Sequence, residues 1–222
     1  MWAADGGQVI VLVEGFLANG LGLPVQQREH AERRSVQVSS GETEAFVAIT
    51  FAAYNQGRCR NLDEDNLCRI YDRRPLVCRI YPMEINPHIP LDIAVKECPP
   101  QSWESGPDLI VGGTLVDQPL AELIQRSRQA DRDDVLVKDA MCALLGIRTT
   151  ALKGDGFTAY LPDMAEFATI FDELAGQTLP EWASEWLFHV SGDDIAGQVQ
   201  AAGAEVTSET AQNYAFISLR AA

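Results

Sequence analysis

Four cysteines, Cys59, Cys68, Cys78 and Cys98, fall within 40 residues of a 222-residue chain; the 58 residues before them hold none and the 124 after them hold one, Cys142. At their centre Cys68-Arg69-Ile70-Tyr71 recurs ten residues later as Cys78-Arg79-Ile80-Tyr81, and Cys98 precedes Pro99-Pro100. Sulfurs gathered in this way are open to three chemistries. Thiolates are soft ligands, and four of them suit zinc or an iron–sulfur cluster. Disulfides need an oxidising compartment, and the opening Met1–Gly7 lacks the positive start and apolar stretch of an export signal. A single nucleophilic thiol needs a cation or histidine beside it. Arg69, Arg79 or His88 could serve, but the other three sulfurs would then have no role.

The metal chemistry uses all four sulfurs, so Cys59, Cys68, Cys78 and Cys98 are the expected ligands. Their gaps of 8, 9 and 19 residues lack the close pairs of zinc fingers and ribbons. The spacing therefore favours an iron–sulfur cluster, [4Fe-4S] in form, with zinc as the alternative. Cys98-Pro99 also echoes the Cys-Pro that closes a bacterial ferredoxin run. Tyr71 and Tyr81 are candidates to shield the sulfurs or donate hydrogen bonds to them, and equally to be core residues with hydroxyls at the surface. His88 is either a spare donor or an exposed loop residue. Cys142, among Ala140, Met141, Ala143 and Leu144, reads as a buried helical residue.

The charge pattern fits this reading. The chain carries a net charge of −15, yet six of its fourteen arginines lie between Arg58 and Arg79, where there are only four acids. Four thiolates around a dication leave a charge of about −2, which a local cationic island would offset. The overall acidity argues against nucleic acid as a partner. No run of eighteen apolar residues exists, so no membrane span is expected. With no visible leader, a cytoplasmic protein is the expectation. Nothing in the residues identifies a protein partner.

The elements that must hold these residues read as α+β, predominantly α-helical. An irregular Cys/Pro-rich metal-binding region, residues 1–104 with short N-terminal strands, is expected to pack against a helical region, residues 105–222. Strands are expected at 8–13, 35–39 and 45–53, from β-branched or alternating runs. One short helix is expected between residue 14 and the glycines at 20 and 22, and another after Pro24. From Asn55 to Pro100 seven glycines and prolines leave little room for regular structure, and a loop of that length needs a tie. Helices are expected at about 117–130, 133–145, 163–174 and 194–202. Asp163 with Glu166 forms a capping-box pattern, and Gly176 is the stop. Thr178 with Glu181 repeats the pattern, placing Trp182, Trp186 and Val190 on one helix face; residues 214–219 form a strand or final turn.

Residues 57–100 resemble a known family. Cys59, Cys68, Tyr71, Arg74, Pro75, Cys78, Arg79, Tyr81, Pro82, Cys98 and Pro99 match, residue by residue, the YkgJ-type or CxxCxxCC cysteine-cluster proteins. The resemblance implies zinc or iron chelation. That family takes its name from a further upstream run of close-set cysteines, and this chain has none before Cys59. Either those ligands are lost, or the natural start lies further upstream; the opening Trp2–Val9 resembles the segment just after the run in relatives. Relatives of flagellin lysine N-methylases fall in the same family. They imply an alternative, a methyltransferase dependent on S-adenosylmethionine, for which Leu109–Thr114 with its Gly112-Gly113 pair is the one glycine-rich candidate. An isolated glycine pair after an apolar triplet is more often a plain turn.

Overall fold

In the computed structural model, which describes residues 6–179, 184–209 and 211–219, the first element is a ten-residue strand, β1 (Gln8–Leu17). It is followed by α1 (Arg28–Glu32), β2 (Val36–Ser40) and β3 (Thr43–Tyr54). Then come α2 (Leu76–Ile80), the two-residue strands β4 (Ile110–Val111) and β5 (Thr114–Leu115), and α3 (Gln118–Asp133). The remainder is α4 (Val135–Leu144), β6 (Thr149–Leu152), β7 (Gly156–Tyr160), α5 (Met164–Leu174), β8 (Leu187–His189), α6 (Asp193–Ala201), β9 (Val206–Thr207) and β10 (Ala215–Ser218). Contacts divide the chain into two units, residues 1–60 with 134–222 and residues 61–133. The division expected from the sequence, between residues 104 and 105, falls inside the second unit.

The first unit is organised around β1. Val9, Val11 and Val13 are buried on one face, and the strand is paired along both edges. On one edge it runs antiparallel to β3 over its whole length, Gln8 opposite Tyr54 and Leu17 opposite Ala45. The other edge is shared: residues 11–13 pair with β7 and residues 14–15 with β6. From β6 the sheet continues through β8 to β9, and from β7 to β10. A bridge from Ser39 to Glu185, with Ser39 N–H donating to the Ser184 carbonyl at 2.9 Å, links β2 to the segment entering β8. The strands β1, β3, β2, β8 and β6 thereby close into a ring around one apolar core, in which Trp186, Phe188, Met141 and Val199 are fully buried.

Several expectations are corrected here. The fold is mixed rather than predominantly helical, at 33% helix and 25% strand among the described residues. The C-terminal half contributes β6 to β10 as well as α4 to α6. The helix expected between residue 14 and the glycines does not form, because β1 runs on to Leu17. Gly15 sits within that strand where a Cβ would meet Thr150 and Phe188 at 3.0–3.1 Å, so the close approach of neighbouring side chains explains the glycine. The helix expected after Thr178 is not continued through Val190: residues 187–189 are strand β8, paired with β6 and β9. Glu181 and Trp182 lie outside the described residues, as do residues 1–5.

The second unit has its own small core. Ile80 of α2 packs with Leu120 and Ile124 of α3, with Leu76, Met83, Ile85 and Leu109 around them. Gly112 and Gly113, at φ +57° and +78°, form the two-residue turn that joins β4 to β5. The glycine pair considered for S-adenosylmethionine therefore closes a hairpin.

Candidate metal centre

Cys59 is half-buried and follows β3 by five residues, at the end of the first unit's N-terminal segment. Its neighbour Arg60 is held twice: its backbone N–H donates to Asn55 Oδ1 at 3.3 Å, and its guanidinium to the Gly6 carbonyl.

Cys68, Cys78 and Cys98 belong to the second unit. Cys68 stands on the return arm of a tight loop, bridged to Leu62. The Asp63 carboxylate accepts from the N–H groups of Asp65 and Leu67, at 3.0 and 2.8 Å, and Asn66 adopts φ +64° to complete the reversal. Arg69 N–H donates to the Asn61 carbonyl at 2.8 Å and closes the base of the loop. The acidic run Asp63-Glu64-Asp65 is thus the turn that positions a cysteine.

Cys78 is exposed on α2, a helix that begins directly after Pro75. Ile80 anchors that helix with 1% of its surface exposed. Residues two apart on a helix face opposite ways, so burying Ile80 turns Cys78 outward. In the first copy of the motif, Tyr71 is exposed and the Arg74 guanidinium lies over its ring, 3.7 Å from the centroid. Arg74 Nε also donates to the Tyr71 carbonyl at 2.9 Å.

Cys98 is half-buried, and its thiol donates to the Tyr81 hydroxyl at 3.3 Å. That hydrogen bond is the main cause of a raised Tyr81 pKa, with burial second. The second motif tyrosine and the last cysteine, 17 residues apart, are thereby brought together. Lys96, in an ion pair with Glu84, lies 5.7 Å from the Tyr81 ring. A cleft of about 500 Å³ opens beside Cys98, lined by Tyr81, Leu91, Ile93, Trp103 and Leu109 among others.

All five cysteines are free thiols, and burial pushes the Cys142 thiol far above its usual range. Cys142 is inert by environment, as its helical surroundings implied. The four clustered thiols fit zinc or iron in donor chemistry, being soft and partly accessible. Among the described residues no three His, Cys, Asp or Glu side chains stand together as a ligand set.

No curated protein and no solved structure matches the chain. Residues 21–99, which take in all four clustered cysteines, match the model of the family described as "CxxCxxCC: Putative zinc- or iron-chelating domain".

Proposed function

We propose that the chain chelates zinc or iron through Cys59, Cys68, Cys78 and Cys98. The observation that carries this reading is the family match over residues 21–99. The wide gaps between the cysteines favour an iron–sulfur centre over a zinc knuckle. In this reading the thiols are drawn together by the metal, so that binding and ordering of their segments are one process. The Asp63 turn, the α2 anchor and the Tyr81 contact would limit how far Cys68, Cys78 and Cys98 have to move.

Metal analysis and an absorbance spectrum after anaerobic purification test the proposal. Iron with labile sulfide and broad absorption near about 400 nm identifies a cluster. A colourless protein with stoichiometric zinc identifies a zinc site. Serine at any of the four positions is expected to lower metal content, whereas Cys142→Ser leaves it unchanged. A chain that takes up neither metal, or whose uptake ignores all four substitutions, overturns the reading.

A further inference from the structure

The second unit holds a cleft that contains none of the cysteines. Its volume is about 710 Å³, within the range of small-molecule sites. One wall is the loop from Met83 to Leu91, another is the β4–β5 hairpin, and the floor is α3. The apolar lining includes Met83, Ile89, Leu91, Leu115 and Ile124.

Two lining residues carry full charges, Glu84 and Arg128. Glu84 is neutralised by Lys96 at 2.5 Å. Arg128 is not neutralised. Its Nε donates to the Ile85 carbonyl at 2.7 Å, and no carboxylate pairs with it among the described residues. Burial lowers its pKa, and Arg132 one turn away adds to the effect. An arginine cannot escape by deprotonation, so a half-buried guanidinium with no counter-charge is a standing cost. In a chain of net charge −15, carboxylates are abundant, yet none is spent here. The sequence contains a signal for this residue: Leu120, Ile124 and Arg128 recur every fourth position, so the arginine occupies the same stripe of α3 as the two buried residues.

We propose that this cleft binds a small organic acid, a carboxylate on an apolar body, with Arg128 receiving the carboxylate and the apolar lining covering the rest. Guanidinium and carboxylate match as a planar, bidentate pair. The Ile85 carbonyl holds Nε, which leaves the terminal N–H groups for the ligand. Asn86, Thr114 and Gln125 line the same cleft and offer further polar contacts.

Octanoate, 1-octanol and octylamine share one tail and differ in head group, so titrating each into the full chain by calorimetry separates charge recognition from greasiness. Octanoate is expected to bind at least about tenfold more tightly than either of the others. Arg128→Gln should remove that advantage, and Arg128→Lys should keep part of it. Chemical-shift mapping on the unsubstituted protein provides a reading independent of variant folding: octanoate should move the Arg128 Nε–H signal and the methyls of Ile89 and Leu115. Equal binding of the alcohol and the acid, unchanged octanoate affinity in Arg128→Gln, or no shifts at these groups would each overturn the proposal.

Discussion

Asp139 has 1% of its surface exposed, and it forms an ion pair with Arg148, whose Nη1 lies 2.9 Å from Oδ1. The same guanidinium lies 5.2 Å from the ring of Trp186, itself 1% exposed. The negative charge of Asp139 adds to burial in raising the pKa of Cys142, one turn along α4. The pair is buried on the Asp139 side only, since Arg148 keeps 31% of its side chain exposed, so removing the carboxylate leaves a guanidinium that water reaches in part. Asp139→Ala is therefore expected to lower stability by about 1–3 kcal/mol, read from urea denaturation. A loss no greater than that of an ordinary surface substitution would show that Arg148 finds water instead. This residue was not legible as special in the sequence, where it is one of 32 acids. Its role comes from the strand and helix that bring residues 139, 148 and 186 together.

At the scale of elements, α5 shows what local sequence can specify. Asp163 accepts hydrogen bonds from Ala165 and Glu166 N–H groups, both at 2.9 Å, as the capping pattern required. Gly176, at φ +76°, follows the end of the helix. Replacing Asp163 with alanine should cost about 1 kcal/mol, measurable as a lower denaturation midpoint with an unchanged slope. An unaltered midpoint would mean that tertiary packing alone sets the helix start. Cap, period and stop are all local, and so the helix could be read. The inward face is set by packing: Phe167, Ile170 and Leu174 are buried, whereas Phe171 is 50% exposed. Strands β6, β7 and β8 could not be read in the same way. Each has three to five residues, and their partners lie far off in sequence, Thr149 opposite Leu187 and Val13 opposite Thr158. The candidate site divides along the same line. Cysteine clustering is a sequence property and marked the four residues, whereas the contact of Cys98 with Tyr81, or the solitary charge of Arg128, depends on loops whose course is set by distant packing.

Across the whole molecule, acid stability links these buried groups to global unfolding. His189 is 3% exposed in β8; its ring stacks on Phe216 at 4.3 Å, and Nδ1 shares a 2.8 Å hydrogen bond with the Tyr214 hydroxyl. Burial lowers its pKa below the ordinary 6.5, and the nearby Asp155 carboxylate opposes that shift without cancelling it. Asp155 is itself engaged by Ser191, whose N–H and hydroxyl both donate to it, at 2.7 and 2.5 Å. The folded state thus favours neutral imidazole, while the unfolded chain takes up a proton as pH falls through about 6.5. Uptake by the unfolded state alone pulls the equilibrium towards unfolding. The contribution of neutral His189 is complete well above pH 6.5 and is lost from there down to the folded pKa, below which the slope from this group vanishes. Thermal midpoints should accordingly fall as pH goes from about 7 to about 5. His189→Gln should melt lower at neutral pH, since it loses the ring contacts, yet show a shallower decline over the same interval. Carboxylates are common to both proteins, so the difference between the two slopes isolates the imidazole. Parallel slopes would assign the acid sensitivity to the carboxylates and leave His189 a packing residue only.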